Sequence, residues 1–260
     1  MGVGGLIGAS IGHMVLNWRW VAAGMGIIAV IDLLIALSGS GSLIASILNG
    51  PSYGHRGGGF VVNLITWLLQ LVALAASFTL LCRASLGGAP LSRDHFPEGL
   101  PRPLIRITVH FVVIVLLGTV LMAVLAGAFA GAFGGHVRGA LAWIPIIGAL
   151  LVPLAVIAVN AFNLALGAVG WEMDYATVFG PRPSQRATTW IAGTILMAGI
   201  FIGAMVLWAV FAYLRQPLLM ILYLFVAKGL FIATAATFSA AAFDYLTDRW
   251  RPEGFPSIQA

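Results

Sequence analysis

Residues 217–242 read PLLMILYLFVAKGLFIATAATFSAAA, and Lys228 is the one charged side chain among them. The run is longer than the roughly 20 apolar residues that an α-helix needs to cross about 30 Å of hydrocarbon. Its apolar residues are continuous and do not alternate with polar ones, so the pattern does not fit a transmembrane β-strand. The stretch therefore predicts a membrane-spanning helix.

The composition of the whole chain extends this prediction. Of its 260 residues, 61% are hydrophobic and 8% are charged, whereas soluble domains contain about 25% charged residues. We predict an all-α polytopic membrane protein with about six transmembrane helices, arranged as three hairpins. Residues 1–18 are predicted to form an amphipathic helix on the membrane surface, 19–246 the transmembrane domain and 247–260 a cytoplasmic tail. The other apolar runs are 20–37, 60–82, 108–129, 141–166 and 189–214.

Arginines divide unevenly between the two sides that six spans create. Nine lie on the side that holds both termini and three on the opposite side. Because positive residues are enriched in cytoplasmic loops, both termini are predicted to be cytoplasmic, in a bacterial inner (plasma) membrane. The net charge is +5, but the cations are scattered singly and form no basic face, so no nucleic-acid partner is expected. The nine are Arg19, Arg83, Arg93, Arg102, Arg106, Arg182, Arg186, Arg249 and Arg251.

Two segments share the pattern P-R-P-x-x-R-x-T, at 101–108 before the third predicted span and at 181–188 before the fifth. They indicate either an internal repeat or the chance recurrence of Pro/Arg loop entries. In both cases Arg102, Arg106, Arg182 and Arg186 are predicted to anchor helices at the headgroups of the membrane.

The segment 83–87, Arg-Ala-Ser-Leu-Gly, has an R-x-x-L-G pattern at a predicted loop entry. With the surface helix and the three hairpins, it resembles a group of bacterial six-helix inner-membrane proteins. The group is similar to the membrane domain fused to some glycerophosphodiester phosphodiesterases. The resemblance implies a membrane domain without that activity, since the chain has no phosphodiesterase domain.

Ionisable residues inside spans are functional candidates by default. The two in this chain are Asp32 in the first span and Lys228 in the sixth. They are expected either to form a structural ion pair, or to reach separately toward water, or to form a proton-binding or ion-coupling site in which Lys228 controls the protonation of Asp32.

Uncharged polar residues form a second set of candidates. Asn63, Gln70 and Ser77 recur every seven residues on the second span, and Asn160 and Asn163 share one face of the fourth. Two interpretations stay open: hydrogen bonds between helices, or a polar path for a substrate.

Glycines at four-residue spacing indicate close helix packing, either within the chain or between subunits. They are Gly127, Gly131, Gly135, Gly199 and Gly203.

The sequence shows no signature of a catalytic site, a cofactor or a metal site. We therefore expect a non-catalytic membrane subunit or scaffold that binds lipids or membrane-protein partners, including a second copy of itself. The alternatives are a small transporter or channel that uses Asp32 and Lys228, and a lipid-modifying membrane enzyme.

Overall fold

The computed structural model describes residues 2–37, 60–87, 99–132, 155–170, 183–214 and 217–247. Within these ranges the regular structure is entirely helical. A short helix at 155–159 precedes α5. The main helices are α1 (Val3–Leu16), α2 (Trp18–Leu37), α3 (Phe60–Gly87), α4 (Pro101–Ala132), α5 (Ala161–Val169), α6 (Pro183–Tyr213) and α7 (Pro217–Thr247).

Five of these helices contain a segment that is long and apolar enough to cross a membrane, which confirms an all-α polytopic membrane protein. The fourth predicted span, 141–166, falls largely outside the described residues, and its described part, 155–166, is helical apart from a turn at Asn160. The tail beyond 247 also lies outside them. The five segments are Trp18–Leu37, Val61–Gly87, Pro101–Leu121, Arg186–Phe211 and Leu219–Leu246.

Proline marks the beginning of three helices. Helix α4 begins at Pro101, α6 at Pro183 and α7 at Pro217. Proline is favoured in the first turn because its missing N–H has no partner inside the helix and its φ is already helical. The prediction that the Pro/Arg motifs are loop entries is therefore wrong in detail: the motif at 101–108 forms the first two turns of α4.

Helix α7 is the centre of the bundle, since it packs against α1, α2, α3, α5 and α6. Its second half is rich in alanine, and small side chains let neighbouring backbones approach closely. The buried alanines are Ala233, Ala235, Ala236, Ala240, Ala241 and Ala242.

Helices α2 and α3 run antiparallel to each other. Asp32 contacts Gln70, and eight residues earlier Gly24 meets Ser77, seven residues later on α3. Helices α6 and α7 are antiparallel by the same reasoning, because Ala204 pairs with Tyr223 and Gly193 lies against Phe238. Two of the three predicted hairpins are thus seen directly.

Helix α1 packs against α7 and α6. Its Leu6 and Ser10 are fully buried, and the Ser10 hydroxyl lies 3.1 Å from that of Thr237 on α7. The predicted surface helix is therefore part of the bundle's packing, and its depth in the membrane remains a prediction.

Candidate functional site

Three polar side chains from three helices meet inside the bundle. Lys228 on α7 donates a hydrogen bond from Nζ to Asp32 Oδ2 at 2.6 Å. Gln70 on α3 donates from Nε2 to the other carboxylate oxygen, Oδ1, at 3.0 Å. We call Asp32, Gln70 and Lys228 the Asp32 triad. The two ionisable residues that the sequence places inside predicted spans, Asp32 and Lys228, therefore form one ion pair.

The two charges of the Asp32 triad differ in their exposure. The Asp32 side chain is 3% exposed and that of Lys228 is 39% exposed. A buried charge is tolerated when it is paired and its remaining hydrogen-bonding positions are filled. Each oxygen of Asp32 accepts one such hydrogen bond. Among the described residues Lys228 donates to Asp32 alone, which leaves two of its three N–H donors.

Two glycines let α2 approach α3 and α7, the helices that supply the hydrogen-bond partners of Asp32. At Gly229, next to Lys228, a Cβ would collide with the Met25 side chain of α2. At Gly24 a Cβ would lie 3.2 Å from Ser77 Cβ on α3, and the Ser77 hydroxyl donates to the Gly24 carbonyl at 2.9 Å. These close approaches position Asp32 between Gln70 and Lys228.

A partly open cavity of 560 Å³ lies beside the Asp32 triad. It lies between α6 on one side and α2 and α3 on the other, with α7 as the connecting wall. All three triad residues line it, and the rest of the wall is almost entirely apolar. The other wall residues include Ile28, Leu74, Phe201, Ala204, Ala227 and Phe231. Every lining residue belongs to a segment that is apolar enough to span a membrane, so the cavity lies at membrane depth.

An aromatic group stands at the end of the cavity nearest the α6–α7 connection. The Tyr223 hydroxyl on α7 donates to the Ala204 carbonyl on α6. The Tyr223 ring lies 5.9 Å from that of Trp208 and 5.9 Å from that of Phe211. This contact joins α6 to α7 where the cavity ends.

The other polar candidates do not extend the Asp32 triad into a path. Asn63 is exposed and does not line the cavity. Asn160 donates from Nδ2 to the Val156 carbonyl one turn earlier, at 2.9 Å. Of the substrate path predicted from Asn63, Gln70 and Asn160, only Gln70 lies at the cavity.

Asn163 is fully buried on α5. Within the described part of the chain, neither its Oδ1 nor its Nδ2 has a hydrogen-bond partner. An unpaired buried amide destabilises the fold, so the prediction that Asn163 joins helices by a hydrogen bond is not supported among these residues.

Three of the five glycines singled out by spacing make no close contact with a neighbouring helix among the described residues. At Gly127, Gly199 and Gly203 a Cβ would meet no described atom within 4 Å. Gly131 belongs to α4, and Gly135 lies outside the described residues.

A glycine outside the spaced set makes a tight contact between helices. At Gly193 a Cβ would lie 2.6 Å from the Phe238 ring and 2.7 Å from Ala158 Cβ. No second glycine lies four residues before or after Gly193, Gly24 or Gly229. The four-residue spacing therefore gives no sign of these contacts.

The arginines predicted on the cytoplasmic side include one, Arg83, that the structure buries inside a helix. Arg102 is exposed, and Arg106 and Arg186 are half-buried, while Arg182 lies outside the described residues. Arg83, predicted in a loop, is instead a fully buried residue of α3. Its Nε donates to the Ala168 carbonyl at 2.6 Å, where a cation is favoured by the C-terminal end of α5.

His13 on α1 lies near the same end. Its Nε2 is 3.7 Å from Asp244 Oδ2 on α7. Burial lowers the pKa of His13 below its ordinary value of 6.5, because removing the imidazolium from water disfavours the charged form. Burial of the His13 imidazole outweighs its attraction to Asp244, because the two side chains are 3.7 Å apart.

Comparison of the chain with protein-family models, with curated proteins and with solved structures gives no match. The resemblance carried by residues 83–87 therefore stays a prediction, and those residues end helix α3 and do not form a loop.

Proposed function

We propose that this protein is a non-catalytic integral membrane subunit that binds a lipid or lipid-like molecule in the cavity beside the Asp32 triad. The observation that carries the proposal is the cavity itself, at membrane depth with apolar walls. Its volume of 560 Å³ is in the range of roughly 300–1,000 Å³ typical of ligand sites.

The composition of the cavity wall supports a ligand taken from the bilayer. An almost entirely apolar wall with a few convergent polar groups is the usual arrangement of a small-molecule site. Apolar walls bind alkyl chains through many van der Waals contacts. The Asp32 triad supplies a charged, hydrogen-bonding point at which the polar end of such a molecule can be fixed.

The test compares two substitutions on the same helix. Ala204→Phe adds a ring inside the cavity, whereas Ala209→Phe adds the same ring to an exposed position that does not line it. The proteins are purified in mild detergent and the lipids they retain are measured by native mass spectrometry. We expect wild type and Ala209→Phe to retain lipid at similar stoichiometry and Ala204→Phe to lose most of it. Equal retention by all three would overturn the proposal.

A second candidate function rests on the placement of Asp32. A buried carboxylate at a cavity wall, paired with a lysine, is the type of residue that couples proton binding to transport. Asp32→Asn tests this candidate in proteoliposomes loaded with a pH-sensitive dye. Proton-coupled uptake that is abolished in Asp32→Asn supports a transporter; unchanged transport with reduced stability leaves the pair a structural one.

The localisation is part of the proposal. We infer a bacterial inner membrane with both termini cytoplasmic from the arginine distribution. Without Arg83, which lies inside α3, the sequence still gives eight arginines on that side against three opposite. The test fuses a reporter enzyme that is active only outside the cytoplasm to each terminus in turn. Both fusions are expected to be inactive, and activity of either would contradict the orientation.

The predicted membrane-protein partner or homo-oligomer also remains a proposal. Gly127 on α4 and Gly199 and Gly203 on α6 meet no described neighbour, and small residues on an open face permit close contact with another helix. The mass of the detergent-purified complex, measured by light scattering, tests it; a monomer with no co-purifying protein would contradict it.

A further inference from the structure

We infer that the Asp32 triad selects an uncharged amphiphile whose head group carries a hydrogen-bond-accepting oxygen, such as a long-chain ester or alcohol. The inference rests on the proposed binding function of the cavity. It assigns Lys228 as the residue that contacts the head group and the apolar wall as the site of the tail.

The free hydrogen-bonding positions of the triad determine the polarity of the contact. Each oxygen of Asp32 already accepts one hydrogen bond, from Gln70 or from Lys228, and the carboxylate is nearly inaccessible to a ligand. Lys228 is the more exposed of the two charges. It has no acceptor of its own, and within the described ranges it donates to Asp32 alone, so two of its N–H donors are left. A head group that contacts Lys228 therefore meets donors and must supply an acceptor, while the neighbouring Gln70 amide offers both a donor and an acceptor.

The net charge of the triad determines the charge of the ligand. The positive charge of Lys228 is neutralised by Asp32 at 2.6 Å, so a ligand anion would leave one uncompensated negative charge in apolar surroundings, where desolvation is costly. A ligand cation would meet the Lys228 ammonium directly and be repelled by it. A neutral head group avoids both costs and still accepts hydrogen bonds from a charged donor, which are stronger than bonds from neutral ones.

The test uses five probes with the same eighteen-carbon tail. Methyl oleate and oleyl alcohol have neutral accepting heads, oleyl sulfate is an anion, oleyltrimethylammonium is a cation, and octadecene has no head group. Binding to the purified full-length protein is titrated by native mass spectrometry in a neutral detergent. We expect the two neutral polar probes to bind about ten- to hundredfold more tightly than octadecene, the range expected for a hydrogen bond to a charged donor, and more tightly than either ion.

Lys228→Met removes the donors and retains most of the side-chain volume. It is expected to abolish the preference for methyl oleate over octadecene. Lys228→Arg, which keeps the charge and the donors, is the matched control and is expected to retain the preference. If Lys228→Met does not fold, the double variant Asp32→Asn/Lys228→Met, which leaves no unpaired charge, replaces it and is expected to show the same loss.

The outcomes separate this inference from the proposed function. Tightest binding of oleyl sulfate or oleyltrimethylammonium, or a preference for methyl oleate that survives Lys228→Met and the double variant, would overturn the head-group assignment while cavity binding stands. Failure of all five probes to bind, octadecene included, would overturn the proposed function as well.

Discussion

Removing Lys228 is the perturbation whose cost the structure defines most clearly. In Lys228→Met the buried Asp32 carboxylate loses its cation and keeps only the hydrogen bond from Gln70. In Asp32→Asn the remaining partner is Lys228, which is 39% exposed and whose long side chain can turn toward a more polar region. The two substitutions should therefore differ in their free energy of unfolding, and Lys228→Met should be less stable than Asp32→Asn.

The magnitude follows from the geometry. Two unit charges 2.6 Å apart attract by about 6 kcal/mol at an effective dielectric constant of about 20, and desolvation of the pair offsets much of this. Removing one partner of a buried pair costs about 3–5 kcal/mol. Because Lys228 is partly exposed, we expect about 3 kcal/mol for Lys228→Met and about 1.5 kcal/mol for Asp32→Asn. The double variant, which leaves no orphan charge, should lose about 2 kcal/mol.

The assay is a double-mutant cycle on the free energy of unfolding, measured in detergent micelles by tryptophan fluorescence. The cycle should give a coupling energy of about 2–3 kcal/mol, well above the roughly 0.3–0.5 kcal/mol by which independent sites deviate from additivity. A coupling energy within that margin would refute the claim that Asp32 and Lys228 act as one pair.

Three further predictions concern packing and pH. Asn163→Leu is expected to raise the free energy of unfolding by about 1–3 kcal/mol, because it removes a buried amide that has no hydrogen-bond partner in the described part of the chain; a loss of similar size would show that the amide has a partner. Gly193→Ala is expected to cost about 1–3 kcal/mol from overpacking, whereas Gly26→Ala, where a Cβ would meet no described atom within 4 Å, is expected to cost nothing; equal thermal unfolding midpoints for the two would contradict the packing. Burial lowers the pKa of His13, so below about pH 6.5 the unfolded chain binds a proton that the folded one resists, and stability should fall as pH decreases. His13→Asn is expected to reduce this fall, measured as the unfolding midpoint from pH 7.5 to pH 5, and an unchanged slope would contradict the lowered value.

The helices themselves were predictable because a membrane span needs a continuous apolar run, and such a run is visible in any single sequence. The five described spans coincide with predicted ones to within several residues at their ends. Their ends were less predictable. The sequence predicts Arg83 in a loop because a charge normally ends a span, but the structure continues α3 past Arg83, whose side chain donates to the Ala168 carbonyl. That acceptor comes from another helix, and local sequence carries no information about it.

The site was predictable in its charges and unpredictable in its surroundings. Asp32 and Lys228 stood out because charges inside spans are rare, and the structure joins them with Gln70. The glycines that allow this approach, Gly24 and Gly229, were missed. A glycine's importance depends on which side chain of a neighbouring helix lies against it, and this is set by packing rather than by spacing within one helix.

The cavity is the feature on which the account depends most, and photolabelling tests its occupant directly. A methyl ester of a diazirine-bearing fatty acid is irradiated with the full-length protein in lipid nanodiscs, and labelled residues are mapped by mass spectrometry. We predict that labelling concentrates on the cavity wall, at Ala204, Trp208 and Tyr223, and that excess unlabelled methyl oleate removes it. Labelling that follows exposure alone, as strong at the outward-facing Val120 and Ile202 as at the cavity, would contradict the account.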